Sequence, residues 1–159
     1  MRTGIGYDCH RLVAGRRLML GGVELGREDG LGLEGHSDAD VLTHAIIDAI
    51  LGACALGDIG QHFPDTDPRY RDADSIELLR ASCALVRDAG FTVGNVDATV
   101  VIEAPKLAPV RDRIRSRLAD ALGLDVDRVS VKATRGEGMG FVGRSEGAAA
   151  LAIATVHDR

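Results

Sequence analysis

Segments rich in strand-forming residues alternate with helix patterns along this chain, and this alternation constrains the fold more than any other feature. β-Branched and apolar residues predict strands over Thr3–Tyr7, Arg17–Leu20, Val93–Glu103 and Val129–Thr134. Helical periodicity predicts helices over Asp38–Gly57, Ser75–Ala89 and Pro109–Leu122. The alternation predicts an α/β (α+β) fold in which residues 1–159 form a single domain, with a mixed β-sheet and helices packed on one of its faces.

The ends of these segments carry local signals. Ser37-x-x-Asp40 is a capping-box type start for the first helix, and Gly90 and Gly123 follow the other two helices as candidate C′ residues. The last apolar stretch, GAAALAIATV at positions 147–156, is ambiguous, because its alanines favour a helix whereas its larger residues alternate as in a strand. We predict a strand there.

The composition argues against several classes of protein. The formal charge is −5 and no Lys/Arg run stands out, so the chain lacks the positive field with which nucleic-acid binders meet backbone phosphates. No charged and apolar leader opens the sequence, and no apolar run approaches the roughly 20 residues that span a bilayer. Three cysteines without CxxC spacing argue against a disulfide framework or a Cys-rich zinc site. We therefore expect a cytoplasmic protein that binds neither nucleic acid nor membranes.

Asp8-Cys9-His10 is a candidate half of a metal site. On an extended segment the carboxylate and the imidazole project from the same face, while Cys9 points away. His44 supplies a second imidazole from an otherwise apolar helix. One oxygen and two nitrogens form a ligand set that leaves a fourth position open on zinc, as in catalytic sites. Each residue alone also fits a plain hydrogen-bonded histidine or a turn-capping aspartate, so the prediction depends on the three together.

Acidic residues flank His44 at one helical turn on each side. Asp40, His44 and Asp48 therefore form a polar stripe along one side of the helix, and such a stripe seldom faces a dry core. Ligating histidines usually donate their other N–H to an acceptor, so Asp48 is a candidate partner of His44 or a nearby substrate contact.

Two polar loops complete the candidate site. Asp58–Asp67 (DIGQHFPDTD) directly follows the helix of His44, and it is either a plain surface turn or a loop that binds or covers a ligand. Lys132–Gly138 (KATRGEG) follows a strand, and its backbone N–H groups and hydroxyl can bind phosphate oxygens. It is not a Walker A loop, because no GK[ST] follows.

Four segments in order carry a family resemblance: GIGYDCHR, GHSDADVLTHAIIDAILGACALGDIGQHFPDTDP, EAPKL and VKATRGEGMGFVGRSEG. Together they extend from residue 4 to about residue 147. The chain resembles the 2-C-methyl-D-erythritol 2,4-cyclodiphosphate synthase family of the non-mevalonate isoprenoid pathway.

The resemblance implies a lyase. Its reaction converts 4-diphosphocytidyl-2-C-methyl-D-erythritol 2-phosphate into the cyclic diphosphate and releases CMP. The resemblance also implies Zn²⁺, a second divalent cation (Mg²⁺ or Mn²⁺), and a homotrimer built around the sheets, with active sites between subunits.

Matched position by position, the resemblance implies roles for three sets of residues. The zinc ligands fall on Asp8, His10 and His44, and the second cation on Glu137. Positions associated with catalysis fall on His36 and Arg135. Substrate contacts fall on Asp8, His10, His36, Ser37, Asp58, Ile59, Gly60, Phe63, Asp65, Asp67, Phe141 and Arg144. Nucleotide contacts fall on Ile102, Ala104, Pro105, Lys106, Leu107, Ala108, Thr134, Arg135, Gly136 and Glu137.

One position departs from the family pattern. The family usually reads KATTTE where this chain has Lys132-Ala-Thr-Arg-Gly-Glu137, so Arg135 replaces a threonine associated with transition-state positioning. A guanidinium still pairs strongly with phosphate, because its planar fork matches two oxygens at once.

Three other functions fit parts of the sequence. A zinc-dependent phosphohydrolase needs the same open metal position, and a non-catalytic cytidine-nucleotide-binding protein needs only the nucleotide contacts. Gly143-Arg-Ser145-Glu-Gly147 matches the GxSxG pattern of serine hydrolases. We set the third aside, because beyond the motif itself only His157 and Asp158 follow Ser145, and they stand in the wrong order for a triad.

Overall fold

Strands and helices alternate along the chain as the sequence pattern predicts. The computed structural model describes residues 1–159. Its strands are β1 (Arg2–Ala14), β2 (Leu18–Leu20), β3 (Val23–Leu25), β4 (Leu31–Leu33), β5 (Phe91–Val101), β6 (Val129–Thr134) and β7 (Gly147–Asp158). Its helices are α1 (Val41–Ala53), α2 (Ile59–His62), α3 (Ser75–Asp88), α4 (Arg111–Leu122) and α5 (Gly140–Gly143). Short 3-10 turns occur at Pro68–Tyr70 and Val126–Arg128.

A five-stranded mixed sheet organises the domain, in the order β4-β1-β7-β5-β6. The pairs β1/β4, β1/β7 and β5/β7 are antiparallel, whereas β5 and β6 are parallel. The remaining strands, β2 and β3, form a separate antiparallel pair. The predicted mixed sheet is confirmed, and so is the final strand, because β7 pairs with β1 along nearly its whole length.

The helices lie on one face of the sheet, as predicted. The central helix α1 packs against β1 and β7, and α3 packs against α1. Leu42, Ile46, Ile47 and Ile50 on α1 are fully buried, which explains why this helix is almost wholly apolar. None of the helices is long and apolar enough to cross a bilayer.

Two glycines let β1 approach the backbone of α1. A Cβ atom on Gly4 would lie 2.1 Å from the carbonyl oxygen of Ala49, and one on Gly6 would lie 1.9 Å from that of Ala45. These distances are far inside van der Waals contact, so only glycine fits. The approach brings β1 beside the part of α1 that contains His44.

The first helix begins later than the sequence indicated. Its N-cap is Asp40, whose carboxylate accepts hydrogen bonds from the N–H groups of Thr43, Gly21 and Gly22 at 2.7 to 3.0 Å. The prediction that the helix starts at Asp38 under a Ser37 cap is therefore wrong, because Asp40 alone satisfies three backbone donors. The helix also ends at Ala53, before Gly57.

Other segment ends differ by a few residues. The third predicted helix begins at Arg111 rather than Pro109, and β1 is longer than the predicted Thr3–Tyr7. Gly90 and Gly123 do end their helices at positive φ, at 87° and 69°. The strands and helices that the sequence reading omitted are all three or four residues long, which is too short to show a period.

We predict that Gly6→Ala lowers the free energy of unfolding by about 1–3 kcal/mol or more, because the new methyl group forces β1 away from α1. Urea denaturation of the purified protein measures this. Gly26→Ala is the matched control: nothing lies within 4 Å of its Cβ position, so stability should stay within about 1 kcal/mol of wild type. Equal stabilities for the two variants would contradict the close approach.

Candidate active site

Asp8, His10 and His44 converge on one point between β1 and α1. One carboxylate oxygen, Asp8 Oδ2, lies 2.9 Å from His10 Nε2 and 3.0 Å from His44 Nδ1. The two ring nitrogens lie 3.2 Å apart. The structure therefore brings together the three residues that the sequence indicated as metal ligands, with Cys9 exposed and outside the group.

The spacing of these three atoms fits a zinc ion. Nitrogen and oxygen ligands at about 2.0–2.1 Å from a tetrahedral zinc lie about 3.3 Å from one another. The observed separations are close to that value, and the donor set of two imidazoles and one carboxylate is typical of catalytic zinc. Three protein ligands leave a fourth position for another molecule.

The cluster perturbs the acidity of its members. Burial raises the pKa of Asp8, but hydrogen bonds with His10 and His44 outweigh it and hold this pKa well below its usual range. Burial lowers the pKa of His10, but the hydrogen bond to Asp8, the negative charges of Asp8 and Asp40 and a backbone hydrogen bond at Glu34 together outweigh it, so the net shift is upward. The site therefore favours positive charge next to a carboxylate, the electrostatic condition that also favours a cation.

The far side of the His44 ring meets hydroxyl groups. Its Nε2 atom lies 2.8 Å from Ser75 Oγ and 3.2 Å from Ser37 Oγ. The prediction of Asp48 as the partner of His44 is wrong, because both ring nitrogens of His44 have other partners. The carboxylate of Asp48 instead accepts the N–H of Ile59 at 2.8 Å, at the start of α2. Ser75 was missed, since a serine at the start of a helix reads as a capping residue.

A cavity of about 420 Å³ opens next to the three candidate ligands. Its lining residues are Asp8, His10, Gly35, His36, Ser37, His44, Ile59, Gly60, Phe63, Asp65, Tyr70 and Leu78. Most of the predicted substrate contacts lie here. Tyr70 and Leu78 were missed, because an aromatic residue in a turn and a leucine in a helix carry no chemical signal of their own.

Four predicted substrate contacts lie outside this cavity. Asp58 caps α2 through the N–H of Gln61, and the carboxylate of Asp67 binds Arg69. The backbone of Asp67 does contact a residue of the cavity, since its carbonyl oxygen lies 3.2 Å from His36 Nε2. Arg144 pairs with Glu146, and Phe141 lines a separate cavity of about 210 Å³ that also contacts His10.

Arg16 holds the loop that carries His36 and Ser37. Its guanidinium donates to the carbonyl oxygens of Gly35 at 3.1 Å and Ser37 at 2.7 Å. No local pattern indicates this role, because the hydrogen bonds join the Arg16 side chain to backbone carbonyl groups about 20 residues away.

A second cavity, of about 310 Å³, lies at the carboxyl ends of the parallel strands β5 and β6. Its lining residues are Ile102, Glu103, Pro105, Lys106, Leu107, Ala108, Arg111, Ala133, Thr134, Arg135 and Glu137. Eight of the ten predicted nucleotide contacts are among them. The exceptions are Ala104, whose carbonyl accepts a hydrogen bond from Arg27, and Gly136, whose N–H donates to Glu103 at 3.0 Å.

Three cations and two carboxylates face this second cavity. Lys106, Arg111 and Arg135 are the cations, and Arg111 was missed because it lies in a helix among other arginines. The guanidinium of Arg135 lies 3.5 Å from the carboxylate of Glu137. Arg135 thus lines the cavity, where the family pattern has a threonine, and the surplus of positive charge favours an anion.

Ser145 is not placed as a serine nucleophile. The GxSxG segment joins the end of α5 to the start of β7, whereas a nucleophile elbow turns from a strand into a helix. The Ser145 N–H donates to Val142 within a tight turn. The structure thus agrees with setting this motif aside.

We predict that zinc affinity falls as the pH decreases through the raised pKa of His10. Zinc binds the neutral imidazole, so protons compete with it over a range that begins above the ordinary histidine value of about 6.5. The zinc dissociation constant, measured by chelator competition, should rise by up to about tenfold for each pH unit of acidification and each proton displaced. A dissociation constant that stays the same from about pH 8 to about pH 5.5 would contradict this coupling.

Comparisons with known proteins identify the family of this chain. A sequence profile of the YgbB family matches residues 1–157. The chain is 58% identical to the 2-C-methyl-D-erythritol 2,4-cyclodiphosphate synthase of Geobacter sulfurreducens, and the alignment covers the whole of both proteins. It is 59% identical to the bifunctional enzyme IspD/IspF of Anaeromyxobacter dehalogenans over 152 residues, which are 96% of this chain but 39% of that enzyme.

Two solved structures have the same fold. The bifunctional IspDF of Campylobacter jejuni matches 99% of this chain, which spans 42% of that protein, with a TM-score of 0.94 and 43% identity. A 2C-methyl-D-erythritol-2,4-cyclodiphosphate synthase in its CDP-bound form matches 98% of this chain and 100% of its own length, with a TM-score of 0.89 and 35% identity. By its profile match and its full-length identity, the chain belongs to the YgbB family of 2-C-methyl-D-erythritol 2,4-cyclodiphosphate synthases.

Proposed function

We propose that this protein converts 4-diphosphocytidyl-2-C-methyl-D-erythritol 2-phosphate into 2-C-methyl-D-erythritol 2,4-cyclodiphosphate and CMP. The observation that carries the proposal is the cluster of Asp8, His10 and His44 at the edge of a 420 Å³ cavity, in a chain that matches such a synthase along its whole length. In this reaction an oxygen of the 2-phosphate attacks the β-phosphorus. The bond from that phosphorus to the CMP oxygen breaks, and CMP leaves with the electron pair.

The enzyme's main task is to fold a flexible, multiply anionic substrate so that its two phosphates meet. The substrate supplies its own nucleophile, so no protein nucleophile is required. Well-oriented intramolecular reactions gain on the order of 7–11 kcal/mol from such positioning. His36 and Ser37 line the cavity beside the metal cluster, where they hold the erythritol and phosphate portion.

Asp8, His10 and His44 hold Zn²⁺, and Glu137 holds Mg²⁺ or Mn²⁺. The bound ions supply Lewis-acid polarisation and neutralise phosphate charge. Glu137 is a single exposed carboxylate, which suits a magnesium ion that takes its remaining ligands from phosphates and water. Glu137 lines the second cavity, which supports a role for this ion beside the nucleotide.

The second cavity receives the cytidine diphosphate part of the substrate. Residues 102–108 and 134–137, apart from Ala104 and Gly136, line it, and Lys106, Arg111 and Arg135 give it a surplus of positive charge. Arg135 contributes a bidentate contact to a phosphate oxygen pair where the family pattern has a threonine hydroxyl. Phe141 and Arg144 remain predicted substrate contacts.

The enzyme assembles as a homotrimer around the sheets. Ile5, Tyr7, Leu151 and Ile153 are 41–68% exposed on the sheet face opposite the helices. Ile5 lies across from Ile153 and Tyr7 across from Leu151, so the four side chains form a continuous apolar patch. A patch of this kind on an exposed sheet supports contact with further copies of the chain. The protein works in the cytoplasm, where its three unpaired cysteines stay reduced.

We predict that purified protein with zinc and magnesium turns the diphosphocytidyl substrate into a cyclic diphosphate and CMP, and that a chelator abolishes turnover. Phosphorus NMR distinguishes the products. A linear phosphate product would indicate a phosphohydrolase, and tight CDP binding without turnover would indicate a non-catalytic nucleotide-binding protein. Either result would contradict the proposal. Cys83→Ser, at a buried position that lines neither cavity, is a control for general damage.

A second prediction concerns active sites that are shared between subunits. If the zinc cavity of one subunit works with the nucleotide cavity of another, mixed trimers of His44→Ala and Glu137→Ala subunits contain some intact sites. Refolding the two inactive variants together should restore roughly a third of wild-type activity or less, depending on mixing. The complete absence of rescue in mixed trimers verified by mass spectrometry would contradict shared sites.

A further inference from the structure

The His44 ring is held from the side opposite the metal cluster. Its Nδ1 atom faces Asp8 and His10, whereas its Nε2 atom points into the protein. The shortest contact of Nε2 is the hydroxyl oxygen of Ser75, at 2.8 Å, and Ser75 is fully buried. The ring is therefore fixed by a residue that does not line the cavity.

Asp38 decides the direction of this hydrogen bond. Its Oδ1 atom lies 2.5 Å from the Ser75 hydroxyl, and its Oδ2 atom accepts the Ser75 backbone N–H at 3.1 Å. A carboxylate accepts hydrogen bonds, so the Ser75 O–H points to Asp38. The lone pairs of Ser75 Oγ remain free to accept a hydrogen bond from the N–H of His44 Nε2.

We propose that Asp38 and Ser75 are positioning residues for the metal centre, because they fix the proton of His44 on Nε2 and leave the Nδ1 lone pair for the metal. The inference rests on the proposed zinc site. Histidine ligands generally need such a partner, which sets both the tautomer and the ring orientation. Here the partner is a serine whose own proton is committed to a buried carboxylate.

The same contacts link the candidate metal centre to the loop before α1 and to the start of α3. Asp38 precedes α1 by three residues, and Ser75 is the first residue of α3. The N–H of Asp38 donates to the carbonyl oxygen of Ala73 at 3.1 Å, which ties the two segments a second time. The ring orientation of His44 thus depends on how α3 begins against the loop before α1.

Ser37 makes a weaker version of the contact. Its hydroxyl oxygen lies 3.2 Å from His44 Nε2 and accepts the N–H of Ala39 at 3.2 Å. This hydroxyl does not hydrogen-bond to a carboxylate, so the direction of its proton is not fixed in the same way. For this reason we infer that Ser75, and not Ser37, fixes the tautomer of His44.

The test compares two buried serines on the same helix. Ser75→Ala removes the partner of His44, whereas Ser82→Ala removes an equally buried hydroxyl that bonds to the Leu78 carbonyl. We expect Ser75→Ala to raise the zinc dissociation constant by about 10- to 100-fold, and Ser82→Ala to change it by less than about twofold. Chelator competition measures both constants, and urea denaturation measures the stability of each variant.

Histidine NMR on the zinc-loaded protein gives a second readout that stability alone does not move. In the wild type, His44 should show a protonated Nε2 whose hydrogen exchanges slowly, unlike the ring of exposed His157. In Ser75→Ala that signal should broaden or disappear, while in Ser82→Ala it should persist. A metal bound at Nε2 in the wild type would overturn the inference.

The outcomes separate this inference from the metal site on which it rests. A wild-type protein that bound no zinc would contradict the metal centre and the positioning role together. Wild-type zinc binding with equal dissociation constants for the Ser75→Ala and Ser82→Ala variants would contradict the positioning role alone.

Discussion

The contact between the backbones of β1 and α1 is the constraint on which the site depends. Gly4 and Gly6 leave no side chain between strand and helix, so the carbonyl groups of α1 lie directly over β1. Asp8 and His10 follow on the same strand, and His44 lies on the facing part of α1. The ligand atoms meet within about 3 Å because two rigid elements place them, and neither depends on a mobile loop.

The site consists of two halves with different chemistry. The cluster of Asp8, His10 and His44 concentrates nitrogen and carboxylate donors that attract a cation. The cavity at the ends of β5 and β6 instead presents Lys106, Arg111 and Arg135, which attract an anion. A substrate with phosphates at both ends of a flexible molecule needs both. Ile5, Tyr7, Leu151 and Ile153 form an exposed apolar patch on the sheet face opposite the helices, and the proposed homotrimer would bury this patch.

The sequence predicted the alternating fold, the final strand and the cluster of three candidate metal ligands, because each depends on local periodicity or on residues of distinctive chemistry. It did not predict Ser75 as the partner of His44, or Arg16 as the support of the loop at Ser37. Those contacts join residues that are 31 and about 20 positions apart, and nothing in the local pattern marks them. The start of α1 was misplaced for the same reason, since Asp40 caps the helix while also binding Gly21 and Gly22.

The central claim is that these three side chains grip one zinc ion, and anomalous diffraction at the zinc absorption edge tests it most directly. A crystal of the zinc-loaded protein should show one strong anomalous peak at about 2.0–2.1 Å from an oxygen of Asp8, from His10 Nε2 and from His44 Nδ1. A peak at another position, with these three groups left without an ion, would contradict the account.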